Sequence, residues 1–281
     1  MISYWKNILM GLCLVAIFAC KKEEKSESYK PKFVVEGWIE NGDYPYVLLT
    51  HNLPFFTTVD SAQLAEIIIR YAKVTVSDGT QEEVLTGMRD DRYFPYFVYR
   101  GTSLKGKTGG MYKLKIEYAG NVLEAETSIP KTVPLDSIWF SHRLKDLYQL
   151  NVRFQDPPGE KNYYKLYTRF EDVKTFTPTL MSNQDDKYFD GKKVVLQVNR
   201  GAESNLTNKY DPYYTYGDQV MIKFSALPQS GFEFWNSFQD EILNSSNPLL
   251  GSTAALKTNI KGPGLGIWCG YGSTVYKMTA K

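Results

Sequence analysis

Residues 111–129 have the sequence MYKLKIEYAGNVLEAETSI and carry the clearest structural signal in the chain. Before Gly120-Asn121, charged side chains alternate with a set of large side chains that comprises Tyr112, Leu114, Ile116 and Tyr118. A period of two is typical of a strand with one buried face. Because Gly-Asn is a turn dipeptide, the stretch predicts a half-buried antiparallel hairpin.

The same period and the same kind of turn recur on both sides of this hairpin. Asn41-Gly42 and Asp78-Gly79 are further hairpin signals, and alternation returns at residues 148–154. We therefore predict an all-β fold with two β-sandwich domains. Pro130 and Pro134 bracket a stiff connector. The first domain is expected over residues 32–130, the size of an immunoglobulin-like or transthyretin-like sandwich, and a second β-rich domain over residues 131–281.

One amphipathic helix is predicted in the second domain, near residues 230–245. Ser230 and Glu233 have the spacing of a capping box, and Pro248 prevents continuation. One face of this helix carries Phe232, Trp235, Phe238 and Ile242. Periodicity leaves open whether the helix caps the sandwich or docks a partner. Residues 61–66 are also compatible with a short helix.

The amino terminus has the features of a bacterial lipoprotein signal peptide over residues 1–19. Lys6 precedes the apolar run Ile8 to Phe18, and Ala19 stands directly before Cys20. Eleven residues give a helix of roughly 16 Å, too short for a hydrocarbon core of about 30 Å. We expect cleavage before Cys20 and acylation of its thiol, which would anchor the protein in the outer membrane. A plain secretory peptide is the alternative.

Residues 20–31 are expected to form a flexible tether. They lack apolar runs, and Lys22, Glu23 and Glu24 follow the expected lipidation site. A lysine and two acids at this place resemble the signal that exports Bacteroidota lipoproteins to the cell surface. We therefore expect the protein to face the cell exterior, with a tether facing the periplasm as the alternative.

Composition excludes several classes of function. The 281 residues have a net charge of +2 with both signs interspersed, which disfavours a nucleic-acid partner. The chain has only two histidines, His51 and His142, and neither has a second metal-ligating residue at zinc spacing. Two histidines also leave little scope for a Ser-His-Asp triad. We predict no cofactor, no metal and no enzymatic activity. Cys269 has no cysteine partner in the mature chain and is expected to be a buried apolar residue.

Two motifs match binding patterns without the context that those patterns need. Residues 101–108, GTSLKGKT, satisfy the P-loop pattern, but an alternating strand follows where a P-loop requires a helix. We interpret them as a basic loop. Asp185, Asp186 and Asp190 form an acidic cluster that lacks the spacing of a calcium loop.

Two aromatic clusters are the candidate binding surface. They comprise Tyr93, Phe94 and Tyr96 in the first half, and Tyr210, Tyr213, Tyr214 and Tyr216 in the second. Exposed aromatic side chains contact sugars, peptides and protein partners. Packing within loops and core is the alternative for both clusters.

Four stretches together resemble a known family. They are Val34 to Ile39, Ala72 to Gly79, Asp156 to Gly159 with Tyr163-Tyr164, and Asn259-Ile260 with Gly264 to Ile267. The chain resembles the DUF4249 family of Bacteroidota lipoproteins, whose genes often neighbour TonB-dependent receptors. The resemblance implies an accessory or ligand-capture subunit of a TonB-dependent nutrient transporter. An extracellular hydrolase acting on glycans or peptides, and an adhesion module, stay open.

Replacing the expected lipidation site tests the anchor. Cys20→Ala is expected to move the protein from the membrane fraction to the soluble fraction, because each buried CH₂ of an acyl chain contributes about 0.8 kcal/mol of membrane affinity. Membrane fractionation and intact-mass measurement read this out, with Cys269→Ala as the control. An unchanged membrane fraction and mass for Cys20→Ala would contradict lipidation.

Overall fold

The computed structural model describes residues 31–53, 61–201, 210–245 and 256–281. The predicted signal peptide, the tether up to residue 30, Cys20, and the export signal Lys22, Glu23 and Glu24 lie outside the described residues. None of the helices in the described ranges has the length and apolar character that crossing a membrane would require.

The described chain consists mainly of β-strands, so the predicted all-β fold is confirmed. The strands are β1 (Phe33–Glu40), β2 (Tyr46–His51), β3 (Lys73–Ser77), β4 (Glu82–Val84), β5 (Thr86–Arg89), β6 (Phe97–Arg100), β7 (Met111–Tyr118), β8 (Asn121–Ser128), β9 (Leu135–Leu144), β10 (Leu147–Gln155), β11 (Tyr163–Phe170), β12 (Thr177–Asp185), β13 (Lys193–Val198), β14 (Tyr214–Thr215), β15 (Gln219–Ala226) and β16 (Gly264–Thr279). The helices are α1 (Ser61–Glu66) and α2 (Gln229–Ser245). The hairpin predicted around Gly120 is β7–β8.

Three sheets organise these strands. The largest has eight strands in the order β12-β11-β15-β16-β1-β2-β6-β5. A second sheet has the order β4-β3-β7-β8, and in a third β10 pairs with β9, β13 and β14. The first half of β16 runs parallel to β1, and its second half runs antiparallel to β15. One long strand therefore joins the two halves of the large sheet.

The two smaller sheets cover the same face of the large sheet and form two β-sandwiches, as predicted. In the first core, Val35 and Trp268 pack with Leu114 of the β7 strand. In the second core, Phe224 of β15 packs with Phe154 of β10. Trp268 and Met278 belong to the same strand and are an even number of residues apart, so both point to one face.

The division of the chain near residue 130 stays a prediction, and the structure adds a detail to it. The first core draws on residues 33–129 but also takes Ile260 and Trp268 from the C-terminal segment. The second core begins at Val133.

The opposite face of the large sheet carries α2, and we call it the α2 face. The predicted helix is present, but Ser230 is not its N-cap: the Pro228 carbonyl accepts the first hydrogen bonds, and Glu233 accepts from the Gln229 side chain at 2.6 Å. The predicted apolar stripe is also shifted. Phe234 is buried against Cys269 and Tyr271, whereas Phe238 is 41% exposed, so α2 covers only part of the face.

A substitution at Gly266 tests the close packing of β16 against β1. Gly266 has a φ of +121°, and a Cβ there would lie 1.8 Å from the Val35 carbonyl oxygen. Gly266→Ala is expected to cost more than about 3 kcal/mol of unfolding free energy, because a backbone collision adds to a left-handed penalty of about 1–2 kcal/mol.

Gly79→Ala is the matched control in urea denaturation. Gly79 also has a positive φ, +85°, but open space surrounds its Cβ position. Its unfolding free energy should therefore fall only by the conformational penalty of a positive φ. An equal loss in both variants would contradict the close approach at Gly266.

Candidate functional site

The α2 face brings together side chains from strands that are distant in the sequence. Glu36, Trp38 and Glu40 of β1 lie on this face, in register with Ile267, Cys269 and Tyr271 of β16. Alternate residues of a strand share a face, so β1 contributes two carboxylates and an indole ring. Further along the sheet, Tyr167 of β11 pairs with Lys223 of β15.

A cavity of about 430 Å³ opens on this face. Its aromatic lining comprises Trp38, Tyr93, Phe94, Tyr167, Phe176, Trp235 and Tyr271. Its charged lining comprises Glu36, Glu40, Asp43, Arg92, Lys174 and Lys223. Binding sites for small molecules are commonly of this size and combine an apolar wall with a few placed polar groups.

The aromatic wall is held by ring stacking. The rings of Trp38 and Tyr46 are parallel within 7°, with centroids 5.2 Å apart, and the Tyr93 ring lies 5.2 Å from Trp38. Burial raises the pKa of the Tyr93 hydroxyl to about 12. The wall therefore presents neutral ring faces at ordinary pH.

Two cations that line the cavity, Lys223 and Arg92, are held in ion pairs. Lys223 donates to Glu40 at 2.7 Å in a mostly buried ion pair, and its ammonium lies 4.6 Å from the centre of the Tyr167 ring. Arg92 pairs with Asp90 at 2.6 Å. Removing one partner of the Lys223–Glu40 pair would leave an uncompensated charge in a mostly buried place. The Arg92 side chain is 39% exposed, so its pair with Asp90 lies at the surface.

Glu36 differs from Glu40 and Asp90, the carboxylates of these two ion pairs. The protein around Glu36 removes water from its carboxyl group and so raises its pKa, while the positive charge of Lys165 lowers it. The Glu36 side chain nevertheless has access to solvent through the cavity. It is therefore a group whose protonation a bound ligand would influence.

Sequence reasoning missed Lys165, which lies beneath the same face. It is 3% exposed and donates to Ser182 Oγ at 3.1 Å and to Asn183 Oδ1 at 2.9 Å. Its ammonium is 4.4 Å from the centre of the Trp235 ring, and burial lowers its pKa to about 7. The available signal was its place in β11, where the lysine interrupts a run of buried residues.

The structure separates the two predicted aromatic clusters. Tyr93 and Phe94 line the cavity, and Tyr96 is 52% exposed with its ring packed edge-on against Phe94. The second cluster surrounds the short strand β14, which belongs to a different sheet. There Tyr214 is buried in the second core, Tyr210 donates to the Arg200 carbonyl, Tyr213 lies near Arg143, and Tyr216 is exposed.

The P-loop pattern forms a loop whose amides an internal carboxylate occupies. Glu83 accepts hydrogen bonds from the backbone amides of Thr102 at 2.6 Å, Ser103 at 3.0 Å and Leu104 at 2.8 Å. The strand β7 follows at Met111, as the sequence predicts. Because Glu83 takes the place that a phosphate would need, this loop is a structural element of the first sandwich.

Three carboxylates lie close together, but they differ from the predicted acidic set. Side-chain oxygens of Asp156, Asp186 and Asp190 lie within 4.8 Å of one another, and Asp185 is not part of this group. All three already accept hydrogen bonds. Asp156 accepts from the Tyr164 hydroxyl and the Gly191 amide. Asp186 accepts from the Asn162 amide, and Asp190 accepts from the Gly159 amide. These bonds join the turn after β10 to the turn before β13.

The family model described as domain of unknown function (DUF4249) matches residues 22–277, and the chain belongs to this family. The predicted resemblance is thereby confirmed. A search of curated proteins found no match.

Solved structures give low-scoring matches. A chain of a cytokine receptor complex is 8% identical, with a TM-score of 0.26, and 88% of this chain and 96% of that chain are covered. A segment of two fibronectin type-III domains from chicken tenascin is 12% identical, with a TM-score of 0.21 and coverages of 70% and 90%. The chicken interferon gamma receptor alpha chain is 9% identical, with a TM-score of 0.21 and coverages of 71% and 90%. TM-scores of this size carry no argument.

Glu83 provides a test of the loop. Glu83→Gln is expected to cost about 1–3 kcal/mol at pH 7, because three amides lose a charged acceptor. Burial opposes ionisation of Glu83, but the hydrogen bonds from residues 102–104 outweigh it and lower its pKa. The stabilisation is therefore present above the pKa of the unfolded state and is lost as the pH falls through the lower pKa of the folded state.

Urea denaturation at pH 7 and pH 3 measures this effect. The difference between wild type and Glu83→Gln should shrink at the lower pH. Glu82→Gln makes the same change of charge at the exposed neighbouring residue, and it should change the unfolding free energy little at either pH. If Glu83→Gln lost no more unfolding free energy than Glu82→Gln, the stabilisation of the loop by the Glu83 carboxylate would be contradicted.

Proposed function

We propose that this chain is an outer-membrane lipoprotein, exposed on the cell surface, that captures a polar organic ligand for a TonB-dependent nutrient transporter. The observation that carries the binding role is the cavity of the α2 face, which combines a stacked aromatic wall with fixed charges. Aromatic faces bury the apolar faces of sugar rings and peptide side chains, and fixed polar groups orient them. Sugars and short peptides are therefore the proposed ligands.

The location and the transporter partner are supported by the sequence. The lipoprotein signal, Lys22-Glu23-Glu24 and the resemblance to Bacteroidota lipoproteins favour a surface anchor beside a TonB-dependent receptor. An extracellular hydrolase stays the second candidate, because the cavity also holds the carboxyl groups of Glu36 and Asp43, and glycoside hydrolysis uses two carboxyl groups that flank the scissile bond.

Affinity purification of the full lipoprotein in mild detergent tests the transporter partnership. Purification from outer membranes, followed by mass spectrometry, is expected to retain a TonB-dependent receptor in stoichiometric amount. Cys20→Ala, which would lack the anchor, is the control for membrane placement. Recovery of the correctly anchored lipoprotein alone would contradict a transporter complex.

A second measurement tests the cavity. Tyr93→Ala is expected to weaken binding about tenfold or more on an array of soluble glycans and peptides, because aromatic residues dominate binding energies at such sites. Tyr216→Ala, an exposed tyrosine of the cluster around β14, is the matched control and should bind like wild type. Equal binding by both variants would place ligand capture elsewhere, and product formation on the array would identify a hydrolase.

A further inference from the structure

The charged side chains that line the cavity of the α2 face are only partly paired. Two of its cations are held in ion pairs. The remaining charged groups of the lining are Glu36, Asp43 and Lys174. Within the described parts of the chain, none of these three belongs to an ion pair. Two unpaired carboxylates therefore stand against one unpaired lysine.

The Glu36 carboxylate is open to the cavity but has protein on its other sides. Its side chain is exposed, and on the sheet it stands between Leu48 of β2 and Ile267 of β16, two apolar residues of the same lining. This surrounding protein raises the pKa of Glu36, because water that would stabilise the charge is excluded there. A cation that entered the cavity would replace this lost stabilisation.

Lys165 is a cation of the protein that acts on Glu36, but the two do not form an ion pair. The Lys165 ammonium donates to Ser182 and Asn183 and lies over the Trp235 ring. Since the residue is 3% exposed and is not part of the lining, it lies beneath the cavity. Burial lowers its pKa to about 7, so the charge that it directs at Glu36 is reduced near neutral pH.

The indole ring of Trp38 is the neighbour of Glu36 on the same face of β1, roughly 7 Å along the strand. Four other rings of the lining each have a protein cation between 4.4 and 5.4 Å from the ring centre; they are Tyr93, Tyr167, Phe176 and Trp235. In the part of the chain that the structure describes, no cation lies over the Trp38 ring. An acid and an indole that both lack a cation therefore stand side by side.

We propose that the cavity of the α2 face selects ligands with an ammonium group, which pairs with Glu36 and lies against the Trp38 ring. An ammonium group has three N–H donors for a carboxylate, and an indole face attracts the same positive charge. The proposal rests on the role in ligand capture proposed above. It narrows the ligands to peptides with a free amino group and to amino sugars, whose apolar parts would contact the aromatic wall.

Matched pairs of probes test the ammonium group. Phenylalanylglycine and the glucosamine trimer are titrated into the full lipoprotein in detergent, each with free and with acetylated amino groups, and calorimetry measures binding. The free form of at least one probe is expected to bind about tenfold or more tightly than its acetylated form, because it supplies charge-assisted hydrogen bonds. A preference with the dipeptide alone identifies peptides as the source of the ammonium group, and one with the trimer alone identifies amino sugars.

Two variants assign the preference to Glu36. Glu36→Gln keeps the shape of the side chain and removes its charge, so it should bind the free and acetylated forms about equally. It should fold at least as stably as wild type, because the surrounding protein disfavours the charged form of Glu36. Glu124→Gln makes the same change at an exposed position of β8, a strand of another sheet, and should keep the preference of wild type.

Three results overturn the proposal. Equal binding of free and acetylated forms by wild type would show that the cavity takes neutral ligands, and the role in ligand capture would stand. A preference for the free form that persists in Glu36→Gln would place the ammonium group elsewhere. Absence of binding by every probe also overturns the proposal, and the glycan and peptide array with Tyr93→Ala then decides separately on ligand capture.

Discussion

The pairing of β16 with both β1 and β15 is the constraint on which the rest of the structure depends. The strand is shared by both sandwiches, and Trp268 within it is fully buried and donates to the Tyr112 carbonyl at 3.1 Å. Glycines make this possible, because a Cβ at Gly270 or Gly272 would lie 2.2–2.3 Å from the carbonyls of Ser128 and Pro130. The chain leaving β8 therefore passes directly over β16 on its way to the second sandwich.

The candidate site is a consequence of this arrangement. Since both small sheets pack on one face of the large sheet, the opposite face is left for α2 and the cavity. The helix approaches closely at its start, where a Cβ at Gly231 would lie 2.5 Å from the Cys269 sulfur. Cys269 is buried there, and burial raises the pKa of its thiol to about 12, in agreement with the apolar role predicted for it.

The lysines of the α2 face do not belong to a surface ion-pair network. Lys165 is buried and hydrogen-bonded to neutral side chains, while Lys223 reaches Glu40 across 183 residues of sequence. Buried charges are costly unless they are paired or hydrogen-bonded. Both lysines meet this condition, Lys223 through Glu40 and Lys165 through Ser182 and Asn183.

Local patterns predicted much of the fold. The β7–β8 hairpin, the strand after the P-loop pattern and the helix near residues 230–245 follow from periodicity and turn residues, which depend on neighbours in the sequence. The helix start was less predictable. Ser230 has the right spacing for a cap, but the helix begins at Gln229, two residues before the start that a Ser230 cap would give, and Gly231 lies in close contact with Cys269.

The sequence by itself determined the all-β class, the positions of several strands and turns, and the aromatic residues from which a site could be built. Only the tertiary structure decided that Tyr93 and Phe94 line a cavity while Tyr214 is buried in a core, and that Glu83 occupies the loop at residues 101–108. The physical reason is that strand periodicity is a local property, whereas sheet order and the pairing of distant strands arise from burial of both faces of β16.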